Sequence, residues 1–438
     1  MRPHLLYVVW GYPPCRGSGV HRALATANTF AQDGWRVTVL TADRETFERF
    51  TGSDPSLEAR IDPSITVTRV DFAWPAQETD IRRFSRLRAK APSLWRRLRL
   101  IRDRIPFPEV GYGPWRRPLT RAALKIHKSD SVDLVISTAN PNVTFSAAYA
   151  LHRRAGIPYV MDYRDAWSLD VFSGERLHQL NSRVVRLERK YLHDATEAWF
   201  VNEPIRAWHV LQYPDVAPRM HVVANGWDPE VFAAARPDRG RPEPRTRPLT
   251  FGYLGTMSRN VPIAVLLAGW HEARDHGLVA PGSRLVIAGY LGFFATPRAD
   301  IASAIAGAGD SVSYPGPIPK TEVGAFYDSI DVGVLALGTG LYVTSGKVFE
   351  YLATGKPVVS VHDPENAASS VLAGYPLWAP AQELTPSAVA AALGRGAQLA
   401  AEASEAQRSL ALQFAEQYRR DVQFRPRLAE LRRTVGHP

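Results

Sequence analysis

The run Thr344-Ser345-Gly346-Lys347-Val348-Phe349-Glu350 gathers three kinds of group that can act on a phosphorylated ligand. Small residues at 344–346 suit the start of a helix, where backbone N–H groups lack partners within the helix. Those donors and the helix dipole favour an anion. Lys347 adds a mobile cation in the first turn, and Glu350, three residues on, falls on roughly the same face. A carboxylate there can accept from two neighbouring hydroxyls. The set suits a nucleoside diphosphate, with its phosphates on the helix start and its ribose on the acid. The same spacing also fits a plain surface pair between Lys347 and Glu350, which by itself stabilises little.

Such a helix needs a frame to hold it. Gly355 stops it, and the apolar residues 358–361 read as a buried strand. The same rhythm runs through the chain. Residues 5–10 read as a strand, 11–20 as a Gly/Pro loop, 21–33 as a helix ended by Gly34, and 35–41 as a second strand. Further strands are expected at 65–70, 133–137, 158–162, 198–201 and 220–223, with a helix at 143–155. Residues 233–248 carry prolines and arginines with no apolar period, which is linker composition. Beyond them the alternation restarts, with strands at 249–254, 283–288 and 332–335 and helices at 261–277 and 320–330. The expected architecture is α/β, two tandem Rossmann-like domains facing a cleft, since ligands bind beyond the carboxyl ends of strands in such sheets. The expected limits are 1–232, a linker at 233–248, 249–410, and an amphipathic helical segment at 411–438.

Bulk properties agree with two globular domains. The length of 438 residues exceeds one ordinary core. No apolar run is long enough to span a membrane. The run at 5–10 has a thin basic flank and no small-residue cleavage site, so a first strand is expected there rather than a signal peptide. Cys15 is the only cysteine, which excludes an internal disulfide, disfavours a thiolate metal site and fits a cytoplasmic location. The histidines are scattered, so no metal cluster is expected, and no Ser–His–Asp set stands out. A net charge of +10 favours anionic partners without choosing among nucleotides, lipid headgroups and nucleic acid. Nothing in the chain resembles a nucleic-acid-binding module.

Residues 81–105 form a second notable stretch. Ile81, Phe84, Leu87, Leu94, Trp95, Leu98, Ile101 and Ile105 recur at helical spacing, and most of what lies between them is arginine. Pro92 divides the run, with Ser93 a candidate cap for its second half. A basic amphipathic helix can lie peripherally on an anionic membrane or grip an acidic acceptor. It can equally pack its apolar side on its own domain and leave the basic side in water.

Taken in order along the chain, these pieces resemble the bacterial group 1, or GT4-like, retaining glycosyltransferases of the GT-B fold. The resemblance rests on Gly17-Ser18-Gly19 after the first strand, 105–111, 133–142 and Asp162-Tyr163-Arg164-Asp165-Ala166-Trp167. In the second half it rests on Asn225-Gly226-Trp227-Asp228 with Phe232, Tyr253-Leu254-Gly255-Thr256, Tyr314-Pro315-Gly316 and the opening motif. It implies a hexosyltransferase-like enzyme taking a nucleotide-sugar donor, with no cofactor and no metal. Gly255 and Thr256 would let the backbone approach the diphosphate. Gly289 and Ile318 would lie near the base. Ser345, Gly346 and Lys347 would hold phosphate, Glu350 the ribose, and the Gly17, Ser18 and Gly19 loop would close over the donor. Asn140, Arg164, Asp165 and Tyr342 would face acceptor or sugar, an internal Arg164–Asp165 role being equally open. The segment 411–438 would cross back to the first domain. Acceptors in view are a glycan, a lipid-linked sugar or a small molecule.

Two departures from the family pattern stand out. Where an E-x7-E motif would have its first acid, this chain has Tyr342. The turn after Gly255 supplies Arg259 without the lysine that often accompanies it. The mechanism implied is front-face displacement with no protein nucleophile. Lys347, Arg259 and helix N–H groups would stabilise the departing diphosphate, and Asp165 would attend the reacting sugar. Three alternatives remain in view. A nicotinamide enzyme would use Gly17, Gly19 and Asp43, but the third glycine of that fingerprint is absent. An epimerase or phosphorylase of the same fold would use the same donor site. A non-catalytic, membrane-associated binding protein would explain Tyr342.

Overall fold

The computed structural model describes residues 2–17, 19–233, 248–292, 299–319, 322–338 and 340–436. The chain forms two units: Met1–Asp170, Glu175–Ala224 and Phe424–Pro438 in the first, Val171–Gly174 and Asn225–Gln423 in the second. The first is built on a seven-stranded sheet. Its strands are β1 (His4–Val8), β2 (Arg36–Ala42), β3 (Thr66–Val70), β4 (Leu134–Ala139), β5 (Tyr159–Tyr163), β6 (Glu197–Phe200) and β7 (Met220–Val222). They lie in the order β3-β2-β1-β4-β5-β6-β7, every pair parallel. The central strands are apolar and β-branched on both faces because helices cover both sides, as parallel sheets require. One face packs Ala23, Leu24, Ala27 and Phe30 of helix Val20–Gln32 against Tyr7, Val39 and Ile136.

A buried ion pair staples this unit. Arg22, only 2% exposed, sends its Nε and Nη2 to the fully buried Asp162 at the end of β5, the shortest contact being 2.6 Å. Its Nη1 donates to the carbonyls of Val223 and Ala224 at 2.9 and 3.3 Å. Thr138 Oγ1 donates to the other Asp162 oxygen at 2.8 Å. First helix, β4, β5 and the end of the unit's second segment thus meet at one carboxylate.

The second unit repeats the plan with six strands. They are β8 (Thr250–Leu254), β9 (Arg284–Ala288), β10 (Val312–Gly316), β11 (Val332–Ala336), β12 (Val358–Val361) and β13 (Trp378–Pro380). Their order is β10-β9-β8-β11-β12-β13, all parallel. Phe251, Leu266, Trp270, Val332, Val359 and Leu393 form its core. Helices Ile263–Asp275 and Pro386–Glu402 approach closely at Gly269, where a Cβ would meet the Val389 side chain at 2.6 Å. Strands β10 and β13 are not among the expected strands: β10 contains Pro315, and β13 is only three residues long and ends at Pro380.

The domain limits differ from those expected. The second unit starts at Asn225 rather than after 232, because Trp227 is tied to the C-terminal region. Its N–H donates to Tyr418 O at 3.0 Å, its indole to Ala415 O at 2.8 Å, and Arg420 N–H to Trp227 O at 3.1 Å. Helix Glu405–Glu416 also stays with the second unit, where Phe414 meets Tyr375 and Leu412 meets Gly355. Membership of the first unit resumes only at Phe424, whose ring joins the core with Leu428 and Leu431. Most of the expected linker, 234–247, lies outside the described residues.

Residues 81–105 fold as a short helix Arg86–Lys90 and a longer one, Pro92–Arg104. Pro92 occupies the first turn and Ala91 the cap position, so Ser93 is not the cap. Packing of the apolar side onto the domain is not what the structure shows: Leu94, Leu98, Ile101 and Ile105 are exposed.

Replacing Asp162 by Ala should destabilise the protein by about 3–5 kcal/mol, since it strands a buried guanidinium. Urea unfolding measures this, as a lower midpoint; a midpoint unchanged from wild type would show that Arg22 finds other partners.

Candidate functional site

In a parallel sheet every turn that leaves a strand's carboxyl end lies on the same edge. Four such turns in the second unit carry the residues expected to hold a donor. Leu254, ending β8, leads into Gly255 and Thr256; Ala288, ending β9, into Gly289; Gly316, ending β10, into Pro317 and Ile318. The loop after β11 leads to helix Gly346–Ala353.

The first three turns are stitched together through backbone. Gly255 N–H donates to Ala288 O at 3.0 Å, and Gly289 N–H to Gly316 O at 2.9 Å. Tyr314 OH donates to Gly289 O at 2.7 Å. Gly289 has φ +125°, and a Cβ there would stand 1.9 Å from Gly255 O, so no other residue fits. Turn 258–260 leans on the loop after β11, with Asn260 Cβ 2.6 Å from where a Gly338 Cβ would be. That contact sets Arg259 on an exposed turn beside this loop. Among the described residues no ion pair joins Arg259 to Glu350.

Helix Gly346–Ala353 begins as its sequence suggests. Ser345 is the N-cap, and its hydroxyl accepts from Lys347 N–H at 3.2 Å. Lys347 Nζ lies 2.6 Å from Glu350 Oε2, and Tyr327 OH donates to that same oxygen at 2.6 Å. Glu350 is buried while Lys347 keeps a quarter of its side chain in solvent. Burial, and then the Glu350 charge, push the Tyr327 phenol well above its ordinary range, so it stays a donor. One helix position further on, Tyr351 OH donates to Gly252 O at 3.2 Å and accepts from Leu254 N–H at 2.8 Å. The Tyr351 contacts clamp the helix to β8. Nothing in the sequence pattern singled out Tyr327 or Tyr351, whose partners are distant in the chain. Tyr342 sits half-buried in the turn after Gly340.

The first unit presents its own cluster at the carboxyl ends of β1, β4 and β5. The Arg164 guanidinium lies over Gly19, where a Cβ would fall 1.9 Å from Nη1, and pairs with Asp165 at 2.6 Å. Gly17 N–H approaches Cys15 Sγ at 3.4 Å, and burial raises the Cys15 thiol, so it is not a ready thiolate. Ser18 lies outside the described residues. Asn140 is exposed just beyond β4.

Sequence reading assigned no role to Glu109, which the structure places at the start of the next helix. Its carboxylate accepts from Asn142 N–H at 2.9 Å, Val143 N–H at 2.8 Å and Asn142 Nδ2 at 3.1 Å. Burial raises its pKa to about 7, outweighing those three donors, which favour the anion. Among the described residues no group of three or more His, Cys, Asp or Glu is placed to hold a metal ion.

Residues 248–396, within the second unit, match the profile of a family described as Glycosyl transferases group 1. No curated protein sequence matches the chain. Among solved structures, a glycosyltransferase from Rickettsia africae aligns with a TM-score of 0.67 at 11% identity, over 100% of both chains. The Anabaena protein HepE, solved with UDP-glucose, gives 0.59 at 15% identity, over 98% of this chain and 99% of its own. An E. coli structure described as trehalose-6-phosphate bound with UDP-2-fluoro glucose gives 0.60 at 14%, over 98% of each. At such identities the likeness concerns the fold, two parallel-sheet Rossmann-like units as in GT-B glycosyltransferases.

Two outcomes are expected. Gly289→Ala should cost more than about 1 kcal/mol in thermal unfolding, because φ and the Gly255 carbonyl both oppose a side chain. For Glu109 the folded-state pKa of about 7 exceeds the ordinary 4.5, so between those values the folded chain holds a proton the unfolded chain has lost. Its contribution is full below 4.5 and is lost as pH rises through about 7. Glu109→Gln should therefore flatten the decline of the melting temperature over that window; an unaltered slope would show that the carboxyl is ionised throughout.

Proposed function

We propose that the chain is a glycosyltransferase that moves a sugar from a nucleoside-diphosphate donor to a hydroxyl-bearing acceptor. The observation that carries this is the capped helix start at Ser345, with Lys347 and a buried Glu350 on one face, inside the segment that matches the group 1 profile. In this reading the N–H groups at the helix start, Gly346 first among them, and the Lys347 ammonium receive the diphosphate. Glu350, steadied by Tyr327, accepts from the ribose hydroxyls. Lys347 exchanges its contact with Glu350 for the phosphate when the donor arrives. The backbone at Gly255, Thr256, Gly289 and Ile318 forms the wall along which the nucleotide lies.

The reaction in this reading breaks the bond between the anomeric carbon and the diphosphate oxygen. The acceptor oxygen bonds to the same face of that carbon, and its proton passes to the departing diphosphate, so configuration is retained. The chain's part is to place the two substrates and to stabilise the leaving charge with Lys347, Arg259 and the helix start. Asp165, held by Arg164, would orient acceptor or donor sugar. UDP is the first donor base to test, because HepE was solved with UDP-glucose. A non-catalytic donor-binding protein is the second reading, favoured by Tyr342 in the place of a family acid.

Thermal unfolding with UDP, GDP, TDP and ADP tests donor binding, since a ligand of the folded state raises the melting temperature. A rise with one of them, lost in Glu350→Ala, is expected; equal melting with all four and with none would remove the donor site. Release of the nucleoside diphosphate from its sugar then separates enzyme from binder. Lys347→Ala should slow that release by about two orders of magnitude.

A further inference from the structure

Helix Pro92–Arg104 is oriented the opposite way to an ordinary amphipathic helix on a domain surface. Leu94, Leu98, Ile101 and Ile105 follow one another at i, i+4, i+7 and i+11, a single stripe along the helix. All four face solvent, 50%, 49%, 57% and 65% exposed. The inward side is instead polar and firmly held. Asp103, 1% exposed, pairs with Arg99 at 2.7 Å and accepts from Gly111 N–H at 3.2 Å. Gly113 fits so closely beneath that a Cβ would stand 1.8 Å from Asp103 O. Arg183 donates to the carbonyls of Arg104 and Ile105 at 2.8 and 3.0 Å, satisfying the helix end. The preceding short helix is tied in by Arg88, whose guanidinium lies 3.7 Å from the Phe84 ring centroid and 4.7 Å from that of Trp95. The exposed stripe is therefore not a loosely docked helix that could roll over. Its buried ion pair fixes which side faces out.

Charge says what covers it. Residues 81–105 hold nine arginines and one lysine against a single acid, Asp103, which is buried and already paired. At about 100° per residue, Arg97 and Arg104 border the apolar stripe on one side and Arg102 on the other. Leucine and isoleucine flanked by exposed arginine match the boundary between anionic headgroups and acyl chains. No helix among the described residues is long and apolar enough to cross a membrane, so contact would be in the plane of the interface. We propose that helix Pro92–Arg104 docks the first unit onto an anionic lipid surface, with Leu94, Leu98, Ile101 and Ile105 entering the acyl boundary and the flanking arginines binding lipid phosphates.

The proposal does not rest on the donor reading: vesicle binding and nucleotide binding can each fail without the other. The test is co-sedimentation of the full chain with vesicles of phosphatidylglycerol and phosphatidylcholine, and with phosphatidylcholine alone. Binding to the anionic vesicles only, weakened by salt, is expected. The triple variant Leu94→Ser, Leu98→Ser, Ile101→Ser should bind about tenfold less or weaker still, with thermal unfolding unchanged because these side chains are exposed. Arg97→Glu with Arg104→Glu should do the same. Equal binding to both vesicle types, no binding at low salt, or a triple variant that binds as wild type would overturn the proposal. So would a wild-type dimer in light scattering that the triple variant abolishes, which would make a second copy of the chain the occupant.

Discussion

Parallel pairing imposes one constraint from which the other features of both units follow. A strand that ends beside its neighbour's end must be followed by a return path outside the sheet. The outgoing turns consequently collect along one edge, and helices must cover both faces. Strand interiors can then be apolar throughout, as in β11, while chemistry-bearing residues are confined to the edge. In the second unit the edge is crowded enough that one turn touches the next. Gly289 lacks a side chain because the Gly255 carbonyl occupies that space, and its own N–H and C=O are taken by Gly316 and Tyr314. The wall of the candidate site is thus largely backbone, hydrogen-bonded from one turn to the next.

Buried charge sets the orientation of what the sheet carries. Asp162, Glu350 and Asp103 are each held by a cation of the same unit, and each fixes an element that could otherwise slide or rotate. Asp162 sets the first helix against β5. Glu350 sets the start of helix Gly346–Ala353 against Tyr327. Asp103 decides which side of helix Pro92–Arg104 is hidden. Such pairs contribute little net stability compared with apolar replacements, yet breaking one leaves a charge in a poor environment. Their effect is to make one arrangement much better than its neighbours.

Much of this was legible in the sequence because the signals are local. The alternation of apolar runs and helical periods announces two α/β units, and Ser345 with Lys347 and Glu350 falls within a single turn of helix. What escaped depends on partners far apart in the chain. Arg22 looks like one more helix arginine until Asp162, 140 residues away, is found beside it. Tyr327 meets Glu350 from a different helix. Glu109 is an unremarked acid until the helix start at 142–144 is placed above it. Helical spacing showed the apolar stripe at 94–105 but not its direction, which is decided by one aspartate in a row of arginines. The end of the first domain was misplaced because hydrogen bonding of Trp227 to residues near 418 leaves no trace in local composition.

The last helix, Arg420–Thr434, carries a consequence for biosynthesis. Phe424, Leu428 and Leu431 fill the same core as Leu5, Tyr7 and Phe30, and Arg432 reaches Asp33 at 2.8 Å. The first unit, most of which is made before the second, therefore lacks part of its own interior until residues 424–431 emerge. The second unit, Val171–Gly174 with Asn225–Gln423, needs nothing made after Gln423 and can close while the first still lacks Phe424 and the residues beyond it. Order of synthesis and order of completion are reversed, and the nascent first domain must keep an apolar trough waiting while residues 225–423 are translated.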